Sequence, residues 1–465
     1  MNVKALGIYI GTQQRAGVLF QYLIGESQVV NRLVADDAFA AIVDAPVMSL
    51  SMLAEDPAAQ KALWAEIRST LFNGMYSPAN GWLLPAFFQN LLPEGVFRDH
   101  VAEKRGCDPK DHFDMLAACG RDLPGNLFAL PLTLTRDELA HYVTQDADSL
   151  EMSVTAEPLD DGVSLSGVQP KVGVILEGGR YVGRTKMQDT HIIAKLPVVG
   201  QALLPEVEEL SLRLAGAAGV NVTEAHLEPL EMLAVEHGYD LGDVSRKTNF
   251  LAVIRYDRSP DGRVHCEDFC QVLGVMPENK YMGASYLEVA SVLMEFPTLG
   301  EPAVHELLRR MVVNEMLGNP DMHLKNIGIY YPDGHTPELP PAYDIVAYAA
   351  YNKRMGHALH ILPPELAVKP KMSVKDAQQS KAAKPGIGPA VIRKFCEELQ
   401  IPEKPAAKVI RDTVKNAVLR WPDLIASSLL TETQKERLLT HFHAHPLVAS
   451  LIRRQGKPAE LDLSS

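Results

Sequence analysis

The side chains most able to do chemistry lie between residues 318 and 344, which read GNPDMHLKNIGIYYPDGHTPELPPAYD. Asp321 and Asn326 stand in one polar stretch, and Asp344 follows a short strand pattern and a turn. These residue types in this order suit phosphoryl transfer. A carboxylate at Asp321 can orient a hydroxyl and take its proton. The amide oxygen of Asn326 and the carboxylate of Asp344 can hold Mg2+, a hard ion that prefers oxygen ligands. His323 and Lys325 can offset phosphate charge. A loop rich in Asp and Asn for turn reasons alone would read the same way, so the upstream sequence has to discriminate.

Three upstream features do so. Residues 164–171, SLSGVQPK, precede the strand-like VGVIL. A small-residue loop before a strand can turn backbone N–H groups toward phosphate oxygens, and Lys171 adds a charge. A plain Ser/Gly hairpin would look alike, and GxxxxGK[ST] is absent, so this is not a Walker A loop. Next, Lys195 ends the β-branched run HIIAK, where it could meet nucleotide phosphates. Glu208 then falls in a helical pattern over 207–218 that begins after Pro205 and stops at Gly219. It could hold Lys195 by an ion pair, although Glu206 and Glu209 are equally acidic neighbours. Finally, the apolar strand LAVIRYD offers Ile254, Arg255 and Tyr256 as a connection whose backbone could hold an adenine.

The elements that must position these groups are legible in part. With 465 residues the chain suits two or three domains. Residues 3–23 read as strand, turn and strand, and 57–70 as helix. The segment 83–93 is strongly apolar, a helix begins near Phe113, and GRDLPG at 120–125 is a turn. Residues 134–160 are polar and acidic, read as a short helix and a connection. Strands follow through 258, with the excursion 236–248 expected to be exposed. From Glu267 the pattern turns helical: EDFCQVLG, YLEVASVLMEF, then a helix opened by Pro302 with apolar residues at 304, 307, 308, 311 and 312. Residues 365–465 read as helices, with a basic run over 368–394 and a polar tail. The expected divisions are 1–135, 136–257 and 258–465.

Bulk properties narrow the partners. A net charge of −13 disfavours unaided binding to nucleic acid. Five scattered cysteines suit a reducing cytoplasm, and Cys266 and Cys270 lack a second pair that would complete a zinc site. The N-terminus does not read as a signal peptide, and no apolar run approaches the roughly 20 residues of a membrane span.

Taken jointly, FFQNLLPEG, FDMLAACGRDLPGN, SLSGVQPK, HIIAKLP, LAVIRYDR, EDFCQVLG and DMHLKN followed by YDI resemble the HipA-like kinases, the toxin components of bacterial toxin–antitoxin pairs. The resemblance implies an α+β, protein-kinase-like fold: an N-terminal α/β part with a small β-rich subdomain, and a mainly α-helical C-terminal part. It implies an ATP- and Mg2+-dependent serine/threonine kinase, with Asp321 catalytic and Asn326 and Asp344 as metal ligands. Nucleotide would be met by Ser166, Gly167, Val168, Gln169, Lys171, Lys195, Ile254, Arg255, Tyr256, His323, Lys325, Asn326 and Tyr343. In characterised relatives the target is an aminoacyl-tRNA synthetase, and a serine of the phosphate loop is autophosphorylated. Motif alignment puts that serine at Ser164, with Ser166 a second candidate. The implied partner is a small helix-turn-helix antitoxin, so that DNA is met only through it. Departures are Ile254, where some members have Glu; Pro170, which removes an N–H donor from the loop; the 236–248 excursion; and the last ~100 residues, where the match is weakest.

Two other readings stay open. One is a non-catalytic, nucleotide-binding co-repressor that uses the basic 368–394 run. The other is a metal-dependent phosphohydrolase built on Asp321, His323 and Asp344, which would need neither Lys195 nor the Ser/Gly loop.

Overall fold

A computed structural model describes residues 2–455 apart from 12, 25–27, 67–68, 143–150, 186–187, 246, 260, 352–355 and 367–385. Most of the basic run 368–394, part of the acidic connection 134–160 and the tail after residue 455 therefore lie outside the described residues. The chain forms two units. The first comprises Met1–Gly200, Glu228–Gly283 and Ile327–Pro340; the second comprises Gln201–Leu227, Ala284–Asn326 and Pro341–Ser465.

The first unit holds two sheets. Its N-terminal sheet runs β3 (Gln28–Ala35), β2 (Gln14–Ile24), β1 (Asn2–Ile10), β4 (Leu127–Pro131), with β5 (Glu151–Met152) added in parallel to β1. Period-2 alternation decides the two faces. Leu6, Ile8, Leu19 and Leu33 pack with Phe87, Phe88, Phe113 and Leu116, while Val3, Ala5, Val18 and Phe20 pack with Leu134 and Leu139. Helices α1 (Pro57–Ala65), α2 (Gly95–Arg105) and α3 (His112–Cys119) belong here. The strand–turn–strand reading of 3–23 agrees with β1 and β2; β3 was not expected from the sequence.

The second sheet has the order β9 (Ala225–Pro229), β11 (Asn249–Ile254), β8 (Ile192–Lys195), β6 (Lys171–Glu177), β7 (Arg180–Val182), β10 (Leu233–Ala234). Val172, Val174, Ile192, Ala194, Phe250 and Ala252 share one buried face. The excursion over 236–248 is largely exposed, as expected, but it is also tied to the sheet. Tyr239 and Leu241 pack against that face, and the Tyr239 hydroxyl donates to the Lys171 carbonyl at 3.1 Å. Its aromatic and aliphatic residues bury apolar area that the sheet would otherwise expose. EDFCQVLG departs from a helix: β12 (His265–Asp268) pairs with β13 (Gly328–Tyr331), and only Phe269–Val272 is helical, capped by Asp268 and Gln271.

The second unit is helical. It contains α4 (Leu204–Ala218), α5 (Tyr286–Glu295), α6 (Gly300–Leu317), α7 (Pro389–Leu399), α8 (Glu403–Ala426), α9 (Glu432–Ala444) and α10 (Pro446–Gln455). The apolar stripe of α6 is fully buried at Val304, Leu308, Met311 and Val312. Gly318 stops α6 in the left-handed conformation, φ 64°.

Candidate active site

In the second unit, α6 delivers the chain to a loop that is mostly buried. Asn319 donates from its side chain to Asn314 Oδ1 at 2.6 Å, and its own Oδ1 accepts from the Asp321 N–H at 3.1 Å. Asn314 is in turn fixed by donating to the Arg310 carbonyl at 2.8 Å. The Tyr286 hydroxyl donates to the Met322 carbonyl at 2.8 Å. Met322, His323, Leu324 and Lys325 are buried, so the stretch is not the open polar loop its composition suggests. Asp321 keeps 35% of its side chain exposed, with His323 Nε2 at 3.8 Å from its Oδ1. The buried scaffold thus presents one accessible acid.

Asn326 closes this loop. Its Nδ2 donates to the Asp321 carbonyl at 2.8 Å. With the nitrogen donating, the amide oxygen is the atom that could serve a cation. The Tyr343 hydroxyl donates to the Lys325 carbonyl at 3.1 Å and ties in the segment that carries Asp344. Asp344 has φ 57°, one of three described residues other than glycine with positive φ. Such a residue costs on the order of 1–3 kcal/mol and persists where its surroundings over-determine it. Glu208 on α4 is also in this unit and is fully buried, as is Glu206 to 5%; Glu209 instead pairs with Arg213 at 2.8 Å. Burial therefore separates Glu208 from Glu209, which the sequence could not.

In the first unit, the 164–171 loop hangs between two fixed ends. Ser164 is 1% exposed; its N–H donates to the Asp122 carbonyl at 3.0 Å and its hydroxyl donates to the Leu91 carbonyl. Ser166 is exposed. At the far end the Pro170 carbonyl accepts from the Leu196 N–H at 2.8 Å. Gly167 has φ 90°, and a Cβ there would lie 2.8 Å from Lys171 Nζ. The Lys171 ammonium donates to the Ser166 carbonyl, so it braces the loop from within rather than standing free of it. The side-chain nitrogen of Gln169 is shielded from solvent and has no hydrogen-bond partner, which marks a place for an acceptor. Lys171 and Lys195 are direct cross-strand partners, each 6% exposed. Two like charges directly opposite one another repel.

The strand end 254–256 differs from expectation in one respect. Ile254 pairs with Ile192, but the Arg255 N–H donates to the His191 carbonyl at 3.0 Å. The Arg255 guanidinium is buried against Asp257 and Asp122. Arg255 therefore serves the interior and presents no N–H to an adenine; Tyr256 packs edge-on to Tyr330. The ion cluster of Asp122, Arg184, Arg255, Asp257 and Arg258 escaped sequence reading. Its only signal was charge inside the otherwise apolar GRDLPGN and LAVIRYDR stretches.

Cys266 and Cys270 are buried thiols. Among the described residues no three His, Cys, Asp or Glu gather as a metal site, and no helix is long and apolar enough to cross a membrane. For Mg2+ the donor types fit, being an amide and a carboxylate oxygen.

Comparison with known proteins agrees with this architecture. Residues 9–130 match the HipA N-terminal domain family, and 163–421 the HipA-like C-terminal domain family. Two proteins of Sinorhizobium fredii NGR234, named "Putative kinase Y4dM" and "Putative kinase Y4mE", are 36% and 30% identical over 273 and 358 residues. Those alignments cover 58% and 70% of this chain, and 63% and 79% of the relatives. A third, from Haemophilus influenzae and also named as a kinase of that grade, is 25% identical over 48% of this chain and 66% of its own length. The fold matches that of Shewanella oneidensis MR-1 HipA, solved with HipB and operator DNA, with TM-score 0.64 over 96% of this chain and 97% of that one, at 19% identity. On its two matched domains and its fold, this chain is a member of the HipA family.

Proposed function

We propose that the chain is an ATP- and Mg2+-dependent serine/threonine protein kinase. The observation that carries the reading is the second unit's buried loop, which leaves Asp321 as its accessible acid and fixes the Asn326 amide by its nitrogen. Asp321 would orient a Ser or Thr hydroxyl and accept its proton as that oxygen bonds to the γ-phosphorus and the bond to ADP breaks. Asn326 and Asp344 would hold Mg2+, which neutralises charge on the phosphate oxygens. In the first unit the 166–171 backbone, the Gln169 amide, Lys171 and Lys195 would meet nucleotide phosphates, and in the second unit His323, Lys325 and Tyr343 would do so. Backbone of Ile254 and Tyr256 would meet the adenine. The phosphohydrolase reading is weaker, because its three ligands do not gather as a metal site.

The target would be a protein, with a translation-related enzyme the class the family resemblance favours. Autophosphorylation would fall in the phosphate loop, and burial favours the exposed Ser166 over Ser164. A helix-turn-helix antitoxin is the proposed partner, reaching operator DNA on the chain's behalf in a cytoplasmic setting; the Shewanella complex, which contains HipB and DNA, motivates this. The same complex keeps a co-repressor role as a second reading, under which Asp321 would be dispensable.

Incubation with ATP and Mg2+ followed by mass spectrometry tests the first reading. Wild type should gain phosphate on serine, and Asp321→Asn should lose at least about a hundredfold in rate while still binding nucleotide. Wild-type protein that binds ATP yet transfers no phosphate to itself or to any protein in a lysate would overturn it.

A further inference from the structure

We infer that Asp122 is a positioning residue for the phosphate loop, fixing the seat from which residues 164–171 meet a polyphosphate. The inference rests on the phosphate-binding reading of that loop. Asp122 lies in the 120–125 turn just after α3 and is fully buried. Its Oδ1 accepts from Arg258 at 2.8 Å and Arg255 at 3.3 Å. Its Oδ2 accepts from the Thr190 N–H at 3.0 Å and the Thr190 hydroxyl at 2.8 Å, with Arg184 Nε 3.7 Å away. Four acceptances leave this carboxylate one orientation. The same residue's main-chain carbonyl then takes the Ser164 N–H at 3.0 Å.

The cluster holds the loop at a second point. Arg184, beside Asp122, donates to the Gly162 carbonyl at 3.0 Å. Gly162 sits so close to α3 that a Cβ would lie 2.3 Å from the Ala118 carbonyl, and the Leu159 N–H donates to that carbonyl at 3.0 Å. The upstream arm of the loop is thus laid along the N-terminal subdomain, and the chain runs from it through the Ser166 carbonyl, braced by Lys171, to Pro170.

Buried ion clusters are weak devices for stability, since apolar replacements are often as stable. What they supply is orientation, and here the oriented carbonyl is the loop's anchor. Arg184, Arg255, Arg258 and Arg263 face Asp122, Asp189 and Asp257 beside that anchor. Burial alone would push the Asp122 carboxyl up, but Arg255, Arg258 and Arg263 outweigh it and hold it below the usual range, so the anchor stays ionised.

The test compares wild type with Asp122→Asn, the milder Thr190→Val, and Asp36→Asn as a control. Asp36 is an ion-paired, buried carboxylate of the same unit, bound to Arg15 at 2.5 Å. Each variant is titrated calorimetrically with AMP-PNP and Mg2+, assayed for KM and kcat, and melted. Asp122→Asn should raise Kd and KM about tenfold or more with kcat at saturating nucleotide changed less than about threefold, because positioning binding groups is a ground-state effect. Thr190→Val should shift the same quantities in the same direction by less, and it decides the matter if Asp122→Asn does not fold. If both variants lower Tm and leave Kd unchanged, as Asp36→Asn should, Asp122 is merely structural and the inference is overturned, with the kinase reading untouched. Wild type that binds no nucleotide removes the loop reading and this inference together.

Discussion

Ser164 and Ser166 stand two residues apart in one small-residue loop, yet their surroundings give them different work. The Ser164 hydroxyl is spent on the Leu91 carbonyl, 73 residues upstream, and reaching it with a phosphoryl donor requires the loop to leave its seat. Ser166 is exposed, and its carbonyl rather than its hydroxyl carries the loop's internal brace to Lys171. Ser166→Ala should therefore lower autophosphorylation at least about tenfold with little change in Tm, while Ser164→Ala should leave a buried carbonyl short of its donor and cost about 1–2 kcal/mol. Phosphopeptide mapping together with thermal melts separates the two; label that persists in Ser166→Ala and vanishes in Ser164→Ala reverses the assignment. The sequence could not make this distinction. Both serines satisfy the local pattern, and what buries one of them comes from Leu91 and Asp122, residues no periodicity connects to the loop. Asp321, Asn326 and Asp344 were legible as candidates, because the chemistry proposed for them depends on residue type and local spacing. The Arg255 side chain was not, because its role is set by Asp122 across a turn.

Among elements, α4 and the segment 342–351 are bound along their whole lengths. Ala342 exchanges hydrogen bonds with Asn221 and Thr223 just past the end of α4, at 2.8 and 2.9 Å. The Ala347 N–H donates to Ser211 Oγ at 2.8 Å in the middle of the helix. The Tyr351 hydroxyl donates to the Ala202 carbonyl at 3.0 Å before its start. Asp344, in its unfavourable backbone conformation, lies between the first two of these ties, and Glu208 lies one turn before Ser211. The helix that carries the glutamate thus holds the proposed metal carboxylate in place. Removing the middle tie with Ser211→Ala should relax Asp344 and weaken metal binding roughly tenfold, as loss of a ligand's supporting hydrogen bond commonly does. The readout is the Mg2+ concentration for half-maximal activity at saturating ATP, checked by Mn2+ binding followed by electron paramagnetic resonance. Unchanged metal dependence would sink the idea. The helix itself was readable from Pro205, its apolar spacing and Gly219. Its ties were not, because Ser211 looks like any small residue on a helix and reveals its role only against Ala347. The same limit explains EDFCQVLG, whose first residues join a strand pairing with β13 some 60 residues later in the chain.

At the scale of the whole molecule, each unit contains a carboxylate with a strongly shifted pKa, buried Glu267 in the first and half-buried Glu315 in the second, and the two respond to pH in opposite senses. In the first unit Glu267 accepts from Ser49 at 2.6 Å, from the Leu50 N–H at 2.9 Å and from the Tyr331 hydroxyl. Burial is the larger influence and outweighs these bonds, raising its pKa from the ordinary 4.5 to about 7. Its contribution is complete below pH 4.5 and is lost as pH rises through 7. In the second unit Glu315 lies 3.4 Å from His357 and 3.7 Å from His445 and accepts from the Ile387 N–H at 3.1 Å. Burial alone would raise it too, but the two histidines prevail and hold it at about 2. Its contribution is complete above pH 4.5 and is lost as pH falls toward 2. Each shift corresponds to roughly 3 kcal/mol at most. The two units should therefore weaken at opposite ends of the pH range, and a single two-state transition should not describe both ends. Calorimetric melts of wild type from pH 4 to 9 should show the first unit's transition moving down between about pH 4.5 and 7 and levelling off above that. Glu267→Gln, whose amide can still accept from Tyr331 and Leu50 and donate to Ser49, should abolish that decline while matching wild type near pH 5. A wild-type transition that does not fall between about pH 4.5 and 7, or a Glu267→Gln protein with the same decline over that range, would show that this carboxylate is ionised in the folded state at no cost.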